Sequence, residues 1–475
     1  MIFHSLDFLI FFLVVFSFYW MLRKRSHQNW FLLVASYFFY SYVHYWFGFL
    51  LLATTVMDFC CARAIGRFPH RKKLFLWLSL VFSLGILGFF KYYGFFVENV
   101  SLLLHSLGLG TFTNNLHIFL PVGISFYTFQ SIGYIVDVYR GHTKPARNFI
   151  DYGVFISLFP QLVAGPIERS HQLLPQVQRA RRFDTKNAVN ALVLILWGFF
   201  KKLVIADNVA VTCNKIFGLE DPNFALIWTG VFAFAVQIFA DFSAYTDIAR
   251  GTSRLLGFEL MRNFEHPYIS RSPGEFWRRW HISLSNWFRD YVYIPLGGSR
   301  AGKWRTAWNV IITFFLSGLW HGAQWNYVIW GLWYAVLLVI YRLVHQIVPA
   351  RVCECRWLFP LQWAIMFVFI NIGWMFFRET NLPYIIEYLR LSPWNVTPEQ
   401  LGIATFLFWM TFLYGMPIWI HHLGALLPEK WVNLFHTQVT GWRLFSLQTL
   451  LGLFFYVSIL LLRAESTSDF IYFQF

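Results

Sequence analysis

Apolar residues in this chain come in runs of membrane-span length, separated by short polar punctuation. Phe8–Leu22 stops at Arg23, Lys24 and Arg25. Trp30–Val43 and Trp46–Ala62 read as a hairpin returning to Arg63, Arg67, Arg71, Lys72 and Lys73. Leu74–Val97 leads to Glu98–Asn115, a loop without Lys or Arg, and His117–Val138 comes back to Arg140, Lys144 and Arg147. Ala188–Ala210, Phe224–Ala249, Leu358–Phe377, Ala404–Ile420 and Phe445–Leu462 continue the alternation. A helix needs roughly 20 apolar residues to cross a bilayer, and Lys and Arg mark the cytoplasmic ends. The pattern predicts about twelve spans, with Arg250–Arg305, which carries ten Lys or Arg, on the cytosolic side.

Two stretches break the alternation. Phe149–Pro166 is apolar but basic on both flanks, and it holds Pro160, Gly165 and Pro166. It predicts a re-entrant or in-plane segment, which is tolerated only where protein buries it or a cavity accepts its polar backbone. Ala307–Ile340 has the opposite problem. At 1.5 Å per residue it would make a helix of about 50 Å, too long for one crossing. The string His321-Gly322-Ala323-Gln324-Trp325-Asn326 is the expected break, with the junction inside the membrane.

Composition supports this reading. Hydrophobic residues make up 57% and charged residues 13%, with aromatic residues at 21% and a mean hydropathy of +0.51. The fold class is an all-α polytopic membrane protein, with residues 1–475 as one integral-membrane domain. The net charge of +15 sits in loops, as topology requires, and so does not argue for a nucleic-acid partner. Cys60, Cys61, Cys213, Cys353 and Cys355 show no zinc-like spacing, and no metal site is expected from them. The first span has no basic residue before it and no small-residue cleavage site after it, so it reads as a retained helix.

Candidate chemistry concentrates between Glu275 and Asn326. His321 ends an almost uncharged run among Ser317, Gly318, Gly322, Gln324 and Asn326. It can be a general base, because a desolvated imidazole stays neutral and ready to accept a proton. It can also be a helix-end histidine bonded to a carbonyl. His281 follows Arg278, Arg279 and Trp280. It reads either as a second catalytic group beside arginines that meet donor phosphates or as part of an interfacial helix. Asn286, Arg289 and Asp290 continue that polar face. Arg278, Arg279, Asn286, Asp290, Trp320 and Gln324 are the expected donor- or substrate-binding residues. Lys91, Lys201 and Lys202 sit among aromatic residues, and snorkelling to an interface is expected of them, with cavity lining as the alternative for the pair. P-loop, dinucleotide-binding, GxSxG and HExxH motifs are absent, which removes ATP-driven pumps and serine esterases of that type.

The strings PVGISFYTFQSIGYIVDVYRG (Pro121–Gly141), FPQLVAGPIER (Phe159–Arg169), QIFADFSAYTDIARGTSRLLGFEL (Gln237–Leu260), EFWRRWHISLSNWFRDYVYIPLGGSR (Glu275–Arg300), SGLWHGAQWN (Ser317–Asn326), GWMFFRE (Gly373–Glu379) and FIYFQF (Phe470–Phe475) resemble membrane-bound O-acyltransferases. They are most similar to the bacterial branch that O-acetylates alginate-like exopolysaccharide or peptidoglycan. The resemblance implies a ring of about 11–12 transmembrane helices around a central tunnel, with re-entrant and in-plane helices and a motif core near residues 117–346. It implies His321 as the catalytic histidine and His281 as the second motif histidine. No bound cofactor is implied. The donor would be acetyl-CoA from the cytosol, and a periplasmic acetyltransferase partner would pass the acetyl group to a surface polysaccharide. The location would be the bacterial inner membrane. D-alanyl or other acyl transfer to teichoic acid, lipid or protein is the alternative within this chemistry. A polysaccharide transporter or flippase is the alternative of another class, which would show a repeat or several mid-span charges.

The topology is testable by cysteine labelling in a background lacking native cysteines. An impermeant reagent applied to intact cells should label Glu98–Asn115 positions and spare Arg250–Arg305. The reverse pattern would invert the direction of transfer.

Overall fold

The structure, a computed structural model, describes residues 1–110, 116, 118–163, 165–300, 302–348, 355–427 and 441–473. Cys353, part of the Glu98–Asn115 loop, and the last two residues of the closing hexapeptide lie outside them. Helices carry the described chain, and no strand occurs among the described residues. Eight helices there are long and apolar enough to cross a membrane, and Leu6–Met21 is a shorter apolar one. This is an all-α, multi-pass membrane protein. Its outer helices show why the sequence is so apolar. In Trp442–Leu462 only Gly452 and Ser458 are buried, so its large side chains are left for lipid rather than a core.

The chain forms two compact units, Met1–Ala191 with Ile248–Met261, and Leu192–Asp247 with Arg262–Phe475. In the first, Ile124–Arg140 is buried along nearly its whole length, packed by Tyr45–Arg67 and Lys72–Leu87. Apolar helix continues past Glu98 to Ser106, further than the expected loop boundary. Asn99 is accommodated because its amide donates to the Phe95 carbonyl at 2.7 Å. The stretch that breaks the alternation is two short helices, Phe149–Ser157 and Phe159–Leu162, and every residue of the second is buried. Its freed backbone groups are satisfied inside the protein. The Phe159 amide donates to Ser36 Oγ at 3.1 Å, and the Phe155 carbonyl accepts from Gln130 at 2.6 Å and Gln161 at 2.7 Å. Irregular backbone survives at membrane depth only under such compensation.

In the second unit the long apolar stretch is a helical hairpin, Lys303–His321 and Trp325–Ile347, reversing through Gly322, Ala323 and Gln324. Small residues let the two backbones touch. A Cβ on Gly318 would strike the Tyr327 carbonyl, and one on Gly331 would strike the Phe314 carbonyl. This is the close approach that Gly permits between membrane helices. The third member, Phe359–Arg378, packs on Trp325–Ile347 and accepts polar bonds from it: Asn326 Nδ2 to the Phe376 carbonyl at 3.1 Å and Trp333 Nε1 to the Phe369 carbonyl at 3.0 Å.

Gly318→Val should therefore force the hairpin apart and destabilise it by at least the roughly 1–3 kcal/mol typical of overpacking. Thermal unfolding in detergent measures this. Gly402→Val, at a position with open space around it, is the matched control and should leave the midpoint nearly unchanged.

Candidate active site

Local sequence sets up both histidines. Ser272 caps the helix Pro273–Arg279 by accepting from the Glu275 amide, and Pro273 supplies a preset first turn. The helix ends at Trp280, and His281 then adopts a left-handed backbone, φ 42° and ψ 54°, before Ile282–Phe288 begins. His281 and His266 are the two non-glycine residues with positive φ among those described. Such a conformation costs roughly 1–2 kcal/mol and persists where surroundings over-determine it. Asn263 is part of that surround: its carbonyl accepts from the Ile282 amide at 2.9 Å and its Oδ1 from the Ser283 amide at 3.3 Å.

The reversal of the hairpin puts His321 across from this kink. The two imidazole centroids are 6.5 Å apart, with His281 fully buried and His321 4% exposed. Aromatic rings wall the pair. Trp320 lies 5.0 Å from His321 and 5.9 Å from His281, Trp330 and Phe377 lie 4.7 and 5.3 Å from His321, and Phe242 lies 4.8 Å from His281. Burial pushes the His281 imidazole down to about 3, so it is neutral at physiological pH.

A third ring completes the cluster. Tyr472, near the end of the chain, sits 5.7 Å from His321 and 6.2 Å from His281. A buried charge cluster delivers it there. Lys202 contacts Asp207 at 2.9 Å and Asp241 at 3.0 Å, all three at most 2% exposed. Lys202 also donates to the Ser468 carbonyl at 2.7 Å, Ser468 Oγ donates to Asp207 at 2.6 Å, and Asp241 accepts the Ile471 amide at 2.8 Å. Lys201 reaches Ser243 at 2.8 Å and Asp247 at 2.7 Å. Both lysines are buried, contrary to the snorkelling expected of them. Asp207, further along the same helical run, and Asp241 and Asp247, on the helix Phe224–Leu255, compensate the ammonium charges internally, so neither stem has to reach the interface.

A cavity of about 210 Å³ lies beside the hairpin, lined by Arg278, Asn286, Arg289, Ser317 and Arg342 among others. A wider hollow of about 850 Å³ shares Arg278 and Arg342 with it and adds Lys303 and His345. Ser317 stands one turn before His321 on the same helix. Of the residues expected from sequence, the structure brings together His281, His321 and Trp320 in one cluster, and Arg278 and Asn286 in one cavity. Arg279 turns elsewhere, pairing with Glu275 at 3.0 Å and donating to the Glu265 carbonyl at 3.2 Å. Asp290 pairs with Arg289 at 2.7 Å, and Gln324 is exposed at the start of Trp325–Ile347.

Sequence reasoning did not single out Arg342 or Tyr472. Arg342 donates to the Tyr293 hydroxyl at 3.3 Å, and its Nη1 is buried without a hydrogen-bond partner. The available signal was an arginine only two residues past the apolar run. For Tyr472 it was the aromatic hexapeptide, noticed as a motif but not tied to the histidines.

The chain is similar to known proteins. Residues 146–386 match the model of MBOAT, the membrane-bound O-acyltransferase family. A probable alginate O-acetylase AlgI of Azotobacter vinelandii is 37% identical over 506 residues, covering 100% of both chains. A peptidoglycan O-acetyltransferase of Helicobacter pylori is 34% identical over 76% of this chain and 72% of its own. A teichoic acid D-alanyltransferase of Bacillus subtilis is 32% identical over 54% of this chain and 68% of its own.

The buried cluster makes its own prediction. Lys202→Met strands two buried carboxylates, which should cost about 3–5 kcal/mol and loosen the segment from Ser468 to Tyr472. Limited proteolysis of the C-terminal segment reads this out. Adding Asp207→Asn and Asp241→Asn should restore part of the protection, and equal cleavage in all variants would detach the tail from the cluster.

Proposed function

The chain belongs to the membrane-bound O-acyltransferase family and is an O-acyltransferase, and on that footing we propose that it moves acetyl groups from cytosolic acetyl-CoA across the bacterial inner membrane for O-acetylation of a surface polysaccharide. The acceptor polymer is of the alginate or peptidoglycan kind, reached through a periplasmic acetyltransferase partner. The observation that carries this reading is the pair of buried imidazoles 6.5 Å apart beside a cavity lined with arginine.

His321 is the general base. It takes the proton from an acceptor hydroxyl as that oxygen attacks the thioester carbonyl. The C–S bond then breaks, and the leaving thiolate recovers the proton from the imidazolium. His281 is the second group at the reacting centre, held by its left-handed backbone where a small rotation would displace the ring. Trp320 and the neighbouring rings exclude water, which would otherwise hydrolyse the thioester or the product ester.

The donor's charged end belongs to the cavity. Arg278 and Arg342 line both hollows, and planar guanidinium groups match phosphate geometry. The buried Nη1 of Arg342 is the kind of donor that an anion would satisfy. Asn286 adds a neutral polar contact, and Lys303 and His345 line the wider hollow. Arg279, committed to Glu275 and Glu265, supports the local loop instead.

His321→Ala should abolish O-acetylation at normal protein level, measured by mass analysis of surface polymers with and without the gene. D-alanyl esters in place of acetyl esters would shift the chemistry to the alternative branch, and full acetylation would remove His321 from catalysis. With purified protein in proteoliposomes, Arg342→Ala should raise the donor KM by about 10- to 100-fold, the loss of one charge-assisted contact, with a smaller change in kcat. Arg279→Ala should leave that KM within about threefold of wild type, a shift below 1 kcal/mol.

A further inference from the structure

We infer that His266, His421 and His422 form a site for a divalent transition-metal ion of the zinc class, separate from the paired catalytic imidazoles. One ligand atom from each of the three side chains lies within 4.8 Å of the others, and the ring centroids of His266 stand 4.6 Å from His421 and 5.4 Å from His422. The proposal does not depend on the acyl-transfer reading above.

Three features point to a ligand rather than to packing. His422 is 1% exposed, and its Nδ1 lies 2.9 Å from the Ile418 carbonyl. A carbonyl only accepts, so Nδ1 carries the proton and Nε2 keeps its lone pair. That Nε2 is buried without a hydrogen-bond partner. A backbone carbonyl fixing one nitrogen so that the other can ligate is the usual support for a metal-bound imidazole. His266 Nδ1 is likewise buried and has no hydrogen-bond partner, and His266 takes the second left-handed backbone among the described residues, φ 51°. A strained turn thus brings this ring beneath the end of the helix Pro398–Gly424.

The electrostatics allow a cation. His421 and His422 lie in the last turn of that helix, where unsatisfied carbonyls carry partial negative charge. Nearby Lys201 is paired with Asp247 and nearby Arg279 with Glu275, so the local positive charges have partners. The walls are aromatic: Phe239, Tyr268 and Trp419 stand 5.0, 6.0 and 6.2 Å from His422. A three-nitrogen set suits zinc, copper or nickel better than magnesium or calcium. Zinc bonds of about 2.0–2.1 Å imply ligand atoms roughly 3.3 Å apart, so the three atoms, within 4.8 Å of one another, would close in on the ion, the exposed His421 by changing rotamer. Its open side leaves a fourth position for water. The bound ion would clamp the loop from Arg262 to Ile269 against the helix end, and through Tyr268, 6.1 Å from Trp280, brace the kink at His281.

The test uses the full-length protein in detergent, purified without an oligohistidine tag, stripped with chelator and dialysed. Elemental analysis after Zn²⁺ loading should give one ion per chain, and Co²⁺ should produce a visible absorption band of tetrahedral or five-coordinate type. His421→Ala, which removes an exposed ring and so spares folding, should weaken Zn²⁺ binding at least 10-fold and abolish the Co²⁺ band. His422→Ala should do the same, with circular dichroism checking the fold. His142→Ala, at an exposed histidine outside the cluster, should change neither. Stoichiometric binding that survives His421→Ala, or no binding by the wild-type protein at micromolar Zn²⁺, overturns the proposal.

Discussion

Lys202 carries the interaction on which the surroundings of the paired histidines depend. An ammonium inside a membrane protein is costly unless carboxylates meet it. Asp207 and Asp241 do so, and both also take bonds from the segment that ends in Tyr472. One electrostatic requirement therefore organises three parts of the chain: the π-helical turn Lys201–Ala206, the helix Phe224–Leu255 and the closing segment. The ring of Tyr472 reaches the two histidines as a consequence of that charge balance.

The same constraint shapes the histidine pair. Burial selects the neutral form of an imidazole, and a neutral imidazole is both cheap to bury and able to accept a proton. Histidine thus suits a dry site better than a carboxylate base, which would need its own compensating cation. Tryptophan and phenylalanine around His321 complete the exclusion of water without adding polar groups that need partners. The backbone reversal after His321 is made with Gly322, and the helices on either side close on Gly318 and Gly331. A ring at a hairpin turn, as that of His321 is, is held by two helices at once, so its position inherits their rigidity.

Sequence made much of this legible because membrane physics writes large signals. The broken segment Phe149–Pro166 and the reversal after His321 follow from length and flanking charge, while the pattern predicts about twelve spans and eight helices among the described residues are long and apolar enough to cross. His321 and His281 stood out as polar residues in conspicuous places. What sequence could not show was pairing across distance. Lys201 and Lys202 looked like snorkelling residues because their neighbours in sequence are aromatic, while Asp241 and Asp247 approach them only through folding. Arg278 and Arg279 were indistinguishable as a dipeptide, yet adjacent helical positions diverge by about 100°, so one faces the cavity and the other Glu275. The triad of His266, His421 and His422 escaped for the same reason: adjacent histidines carry little signal until a strained turn from another segment meets them.

The division of labour between arginine and histidine follows from these costs. An arginine cannot lose its charge, so the buried Nη1 of Arg342 is an expense that the free enzyme bears. Binding an anionic donor at the cavity would lower that expense, and the gain is realised before any chemistry occurs. The histidines work the other way. A buried imidazole is cheap when neutral and costly when protonated, so under the proposed mechanism His321 would return its proton to the leaving thiolate rather than remain an imidazolium. On the proposed reading, a site arranged in this way would favour donor binding in its resting state and disfavour any charged intermediate that lingers. Both tendencies follow from placing the chemistry where water cannot compensate charge.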